Sequence, residues 1–327
     1  MIKAKIIIFN IILITLATYQ SYGNPDVDTK VTKWKSGKQA AFMLMFDDSL
    51  PSHVQYVIPE LNKRDFTGTF YINPGKYNFQ KFKKDWEESI PQTGMSYGNH
   101  TFGHKSAEDA NAAEKDIAQC NEVVLRINPP DSSGKLLSFA VPGVKVWNVS
   151  DKELATIKKR YNLIQRPTFS KHGAAVHCKT ADSMCAYVDK AIEENSCEYM
   201  IFHGVGAEYL SVSQDDFIKL LDKLSAEKDK VWVASHIDVH KYETERDNAT
   251  VKILTNSKHL IEIKLTSEVN QKLYDFPITL QSKVPENWKN AQIIQDETKT
   301  DVKVESGIVT YDAIPNKGII KISSKQL

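Results

Sequence analysis

The 327-residue chain balances 42 Lys and Arg against 41 Asp and Glu, a formal charge of +1. That near-neutrality excludes the charge signature of a nucleic-acid binder or of a polybasic membrane contact. The length suffices for one sizeable domain plus a small one.

The chain opens with Lys3 and Lys5, then an apolar run from Ile6 to Ala17 broken only by Asn10 and Thr15, then Ser21, Tyr22 and Gly23. This is the layout of a secretory signal peptide, and the run is too short to span a bilayer. No cysteine follows to take a lipid anchor. Residues 1–23 are therefore read as a leader whose removal takes the charge from +1 to −1. The mature protein is expected to be secreted or periplasmic, with no transmembrane segment. Four cysteines in an exported chain could form two disulfides. Cys120 lies in the helical series Ala113, Ile117, Cys120, Val124, Ile127 and reads as a core residue, whereas Cys178 and Cys185 are near enough to close a local loop.

From Trp34 to about Asn248 short apolar runs alternate with amphipathic stretches, the pattern of repeated βα units. Ala41 to Phe46 is an unbroken apolar run, as expected of a strand buried on both faces, and it ends in Asp47 and Asp48. Val54, Val57, Ile58 and Leu61 then recur at helical spacing. Thr67 to Asn73 is β-branched and aromatic and reads as a second strand. A third, Met95 to Gly98, leads into the stretch GNHTFGHKS, where Ser106 is read as the start of a long helix ending before Pro129 and Pro130. Further strands are expected at Leu136 to Val141, Tyr161 to Ile164 (with Arg166 at its exit), Tyr199 to Phe202 (delivering His203 and Gly204) and Val231 to Ala234. Helices are expected from Ser150 to about Lys158, from Ala181 to Glu193, and after Ser213, whose spacing to Asp216 marks a cap. About seven strand-helix units fit a barrel better than a small open sheet.

Near Asn248 the texture changes. Ile261, Ile263 and Leu265 alternate with Glu262 and Lys264, and short strands recur at Ile278 to Leu280, Val302 to Val304, Ile308 to Tyr311 and Ile319 to Ile322. Period-two alternation with turn residues such as Gly307 and Asn316 predicts a β-sandwich. The expected fold is thus α/β: a (β/α) barrel over residues 24–248, followed by a small C-terminal β-sandwich over 249–327.

The chemistry-bearing residues sit at strand exits, where a strand fixes a side chain and the next loop leaves it open to a ligand. Asp47 and Asp48 are adjacent on extended chain, so they point to different sides and divide their labour. His100 and His104 are four apart, and a single helical turn would place both imidazoles on one side. With a carboxylate from another strand they would form a facial set of two nitrogens and one oxygen, open to water and substrate. His203 follows a third apolar run. Each of these alone has an ordinary structural reading, but three polar groups converging from three strand ends make a candidate site.

At these positions the chain resembles the polysaccharide deacetylases of carbohydrate esterase family four, built on the domain shared with nodulation chitooligosaccharide deacetylases. The family's first motif, usually T-F-D-D-G, is similar to Met45, Phe46, Asp47, Asp48, Ser49. Its second, H-S/T-x-x-H, is matched by His100, Thr101, Phe102, Gly103, His104, and its fifth resembles Ile201, Phe202, His203. The resemblance covers about residues 32 to 245. It implies a distorted (β/α) barrel in which Asp48, His100 and His104 hold a divalent metal, with zinc the expected ion. It further implies Asp47 as general base, His203 as general acid, the backbone N–H of Gly143 in the oxyanion site, and an acetylated poly- or oligosaccharide as substrate.

Two departures stand out. The third motif, R-x-P-Y, reads Ala140, Val141, Pro142, Gly143, so the arginine that pairs with the base is missing, and Ser49 replaces a glycine. Arg166 is the candidate replacement guanidinium; its alternative is a loop-stabilising role. The fourth motif has no counterpart, and Trp86 and Trp147 are candidate sugar-stacking surfaces set against core packing. The alternative functions are an inactive carbohydrate-binding relative and a metal-dependent amidase acting on a non-sugar C–N bond.

Overall fold

The computed structural model describes residues 28–128 and 135–325; the leader, Pro129 and Pro130 lie outside them. In chain order the elements are β1 (Thr29–Val31), β2 (Ala40–Asp47), α1 (Ile58–Asn62), β3 (Thr69–Ile72), α2 (Tyr77–Lys81), β4 (Ser96–Asn99), α3 (Ala110–Ile127), β5 (Leu137–Phe139), α4 (Asp151–Arg160), β6 (Leu163–Gln165), α5 (Ala181–Glu193), β7 (Cys197–Phe202), α6 (Gln214–Ala226), β8 (Val231–Ala234) and α7 (His236–Asp247). They continue with β9 (Ala249–Asn256), β10 (Leu260–Ser267), β11 (Ile278–Lys283), β12 (Asn290–Gln295), β13 (Thr298–Lys303), β14 (Ile308–Ala313) and β15 (Ile319–Ser324).

Strands β2 to β8 form one parallel sheet in the order β6-β5-β4-β3-β2-β7, with β8 also on β2. The expected distorted barrel of about seven strands is therefore present, and the structure adds that it is incomplete. Its axis is β2, in which all eight residues are buried. One edge of β2 takes β7 from Ala41 to Phe46. The other edge is shared, with β8 on Ala40 to Met43 and β3 on Met45 to Asp47.

Alternation along β2 divides two cores. Phe42, Leu44 and Phe46 pack under the helices, while Ala41, Met43 and Met45 join Tyr71, Ala140 and Ile201 inside the barrel. Asp47 continues this second series, so the pleat itself carries its carboxylate into the barrel mouth. Beyond β7 the sheet stays open, and Gly173 and Ala174 run along that edge, with the Ile201 N–H donating to the Gly173 carbonyl at 2.7 Å.

Several local expectations change. The long helix starts at Ala110 rather than Ser106, because Asp109 accepts from the Ala112 N–H and caps it, while Ser106 accepts from the Val146 N–H. A helix not foreseen, α7, follows β8, and Ser235 caps it by accepting from the Asp238 N–H. His100 and His104 lie on no helix: the segment after β4 is irregular, with Thr101 at φ 61° and His104 at φ 45°. All four cysteines are free thiols, so the Cys178–Cys185 loop closure is absent. Among the described residues no helix is long and apolar enough to cross a membrane.

The C-terminal region forms two antiparallel sheets, a five-stranded one in the order β13-β12-β15-β10-β9 and a three-stranded one in the order β1-β11-β14. Ile261, Ile263, Leu280, Val309 and Ile322 fill the space between them, as the alternation requires. The smaller sheet borrows β1 from ahead of the barrel, in register Thr29 to Ser282 and Val31 to Leu280. Tyr242 of α7 is buried in the same core and donates to the Thr32 carbonyl at 2.9 Å.

Phe46 is fully buried and stacks on Phe70 and Phe202 at centroid distances of 4.8 and 5.2 Å. Phe46→Ala should cost about 3–5 kcal/mol through lost burial and a residual cavity, read as a lower urea midpoint.

Candidate metal centre

Five strand exits, those of β2, β3, β4, β6 and β7, build the site. β2 delivers Asp47 and Asp48; the chain then turns through Asp48 at φ 76° and Ser49 at φ 50°. Left-handed backbone at non-glycine residues costs about 1–3 kcal/mol and persists only where the surroundings enforce it. Ser49 compensates here by accepting from the Asn73 N–H at 3.2 Å, a bond that a glycine could not make. Just past β3, the Asn73 amide donates to Asp48 Oδ1 at 2.9 Å.

After β4 the loop from His100 to His104 is held by side chains rather than by a backbone ladder. The Thr101 N–H donates to Asn99 Oδ1 at 2.8 Å, the His104 N–H to Thr101 Oγ1 at 3.1 Å, and the Gly103 N–H to the Asp116 carboxylate. Asn99 is anchored in turn by donating to the Ile117 carbonyl and to Asn121 Oδ1. This wiring, not a helical turn, brings the two imidazoles to a centroid distance of 4.8 Å.

His100 Nε2 lies 3.6 Å and His104 Nε2 3.4 Å from Asp48 Oδ1. One donor atom from each of the three residues falls within 4.8 Å of the others. His100 Nδ1 donates to the Ala140 carbonyl at 3.0 Å, which in the neutral ring leaves the Nε2 lone pair turned towards Asp48. Lone pairs of two imidazoles and a carboxylate oxygen facing one point repel each other unless a cation stands between them. The donor set thus fits a divalent metal. Burial lowers the His104 pKa, as does neighbouring His100, with Asp48 opposing. Burial pushes the Asp48 pKa up, but the facing His100 and His104 and the Tyr209 hydroxyl outweigh it, so the net shift is down.

Asp47 takes the other side. Arg166, leaving β6, donates from Nη2 to Asp47 Oδ2 at 2.6 Å, with both side chains almost wholly buried. Its guanidinium lies 4.9 Å from the centre of the Tyr71 ring. A guanidinium therefore stands beside Asp47 even though the third motif lacks one. Among the described residues Asp47 Oδ1 is buried without a hydrogen-bond partner. His203, at the end of β7, has Nε2 at 3.6 Å from Asp48 Oδ2 and 4.0 Å from Asp47 Oδ2. Phe169 meets its ring edge-on at 4.9 Å.

Asp47, Asp48, His100, His104, Arg166 and His203 line one open cleft of about 800 Å³, bounded also by Gly143, Leu154, Lys158, Phe169 and Tyr209. Neither candidate sugar-stacking tryptophan is there. Trp86 is fully buried between Phe70 and Phe79, and Trp147 packs on the helix-side core.

Sequence reasoning missed three supporting residues. Asn73 carried a legible signal, as a polar residue closing an apolar strand. Tyr209 and His53 did not. His53 is fully buried and donates from Nε2 to the His203 carbonyl at 2.8 Å, holding the backbone behind that imidazole.

An incomplete parallel barrel with a carboxylate and two imidazoles converging at its strand exits defines a barrel protein with a candidate metal centre. Residues 35–152 match the family model described as polysaccharide deacetylase, so that stretch of the barrel is similar to that family. In Bacillus sp., gellan lyase is 27% identical over 110 residues, 32% of this chain but only 4% of that protein. Among solved structures, a putative polysaccharide deacetylase from Mycobacterium smegmatis has a TM-score of 0.50 at 13% identity, covering 70% of this chain and 98% of that one. A family-four pseudoenzyme from Bacillus anthracis has a TM-score of 0.45 at 13% identity, covering 62% and 66%. At 13% identity the likeness to the Mycobacterium smegmatis structure speaks to fold alone.

Two outcomes follow. Arg166→Ala strands a buried carboxylate and should cost about 3–5 kcal/mol, measured by urea unfolding. Burial lowers the His53 pKa from 6.5 to about 4. A depressed histidine contributes stability above its unfolded pKa and loses it as pH falls through the folded one. Between about pH 6.5 and 4 the loss should approach roughly 3 kcal/mol. His53→Gln should show a flatter decline of urea midpoint over that window than the wild type.

Proposed function

We propose that the protein is an exported, metal-dependent hydrolase that removes N- or O-acetyl groups from a carbohydrate. One observation carries the reading: Nε2 of His100 and Nε2 of His104 both face Asp48 Oδ1 within 3.6 Å, beside a second carboxylate with a free buried oxygen.

Asp48, His100 and His104 would hold the cation, with zinc proposed. When bound, such an ion supplies Lewis acidity, bringing the pKa of water down to about 7 and polarising an acyl oxygen. Asp47 is the base: Arg166 fixes Oδ2, leaving Oδ1 to take the proton of the attacking water. His203 stands across the same cleft and gives a proton to the departing amine or alcohol. Its backbone is held by His53 and its ring is flanked by Phe169. Gly143 lines the cleft, and its N–H is the proposed donor to the oxyanion. The leader-like residues 1–23 favour an extracellular glycan, because that is what an exported enzyme meets.

The alternatives make different predictions. A binding-only relative would release no acetate with metal supplied, and an amidase would prefer a small non-sugar amide. With zinc loaded and a panel of acetylated glycans, the wild type should release acetate and lose that activity to chelator. Asp47→Asn should lower the rate by at least about 100-fold with metal content intact, whereas His100→Ala should lose the metal. A zinc-loaded wild type that releases no acetate from any glycan would move the binding reading ahead.

A further inference from the structure

The loop that follows His203 carries a contact that no motif of the resemblance accounts for. The Tyr209 hydroxyl donates to Asp48 Oδ2, and its ring lies 5.5 Å from that of His203. The loop is folded for this contact rather than draped over the cleft. Gly204 is where the chain doubles back, since a Cβ there would sit 1.9 Å from the Ala207 carbonyl oxygen. The Gly206 N–H donates to the Val212 carbonyl at 2.7 Å and the Val212 N–H to Gly204 at 3.2 Å, closing the loop on itself. Beside Tyr209, the Glu208 carboxylate accepts from the Ser52 N–H and from Ser52 Oγ, at 3.2 and 2.6 Å. The loop is thus tied to the segment that leaves Asp47 and Asp48.

We propose that Tyr209 is a positioning residue of the metal centre: its hydroxyl holds Asp48 Oδ2 and so leaves Oδ1 as the oxygen turned to His100 and His104. The inference rests on the metal reading above. Asp48 Oδ1 is steadied by Asn73, but one bond does not stop a carboxylate from rotating about its own axis. Holding both oxygens does. The same bond occupies Oδ2, which otherwise faces His203 Nε2 at 3.6 Å. Without it, Asp48 would be free to swing towards His203, leaving the metal and engaging the nitrogen proposed to carry the proton. Tyr209 is half exposed and contributes a hydroxyl rather than core packing, so removing that one oxygen tests the role.

The test is zinc affinity of purified Tyr209→Phe, measured by competition with a chromophoric chelator. Tyr77→Phe, far out in solvent at 76% exposure, is the control. Loss of a group that orients a ligand should weaken zinc binding about 10- to 100-fold, while the metal-free melting temperature stays at the wild-type value and the control binds as the wild type does. Equal zinc affinity in Tyr209→Phe and wild type would overturn the role of Tyr209 and leave the metal centre standing. A wild type that binds no zinc would overturn the metal reading, and this inference with it.

Discussion

Two adjacent carboxylates in the mouth of a barrel set the terms for everything around them. Asp47 and Asp48 are both buried, and a buried charge is costly unless it is paired and hydrogen-bonded. The structure resolves this by giving the two acids different partners. Asp47 meets Arg166 from β6. Asp48 meets two imidazoles from the loop after β4, an amide just past β3 and a phenol from the loop after β7. Every strand that neighbours β2 at its carboxyl end thus contributes to neutralising what β2 delivers. The cleft's chemistry and the barrel's stability are in this respect one problem.

That arrangement explains why strain gathers at the site. Asp48, Ser49, Thr101 and His104 all have positive φ without being glycine. Each is held by a specific bond or by the convergence of its neighbours. The same logic accounts for the two departures from the family pattern. Ser49 occupies a left-handed position yet its hydroxyl accepts a hydrogen bond from the Asn73 N–H. The missing arginine of the third motif is matched by one from the next strand, which reaches the same carboxylate from another side. A guanidinium can arrive from any strand end within side-chain reach, provided its head meets the carboxylate.

The barrel and the strand ends were legible because they rest on local pattern. The run from Ala41 to Phe46 has the length and unbroken apolarity of a doubly buried strand, and its abrupt end marks where the acids sit. The sandwich was legible from Ile261, Ile263 and Leu265 for the same reason. Less legible was what depends on distant pairing. Strand β1 is three residues with no apolar alternation of its own, and it exists because β11 offers an edge. The spacing of the histidine pair would let a single helical turn align the two rings, but side-chain bonds from Asn99, Thr101 and Asp116 align them without one. Tyr209 sits in an irregular loop whose course is set by Gly204 and Glu208, so nothing near it in sequence announces its contact with Asp48. Arg166 was visible as a strand-exit residue, and its partner only through the fold.

The account stands on a cation being held between Asp48, His100 and His104. Anomalous diffraction from crystals soaked in zinc at its absorption edge tests this most directly. The account predicts one strong peak about 2.0–2.2 Å from Nε2 of His100, Nε2 of His104 and Oδ1 of Asp48. Zinc bound elsewhere with no peak among these three side chains would contradict it.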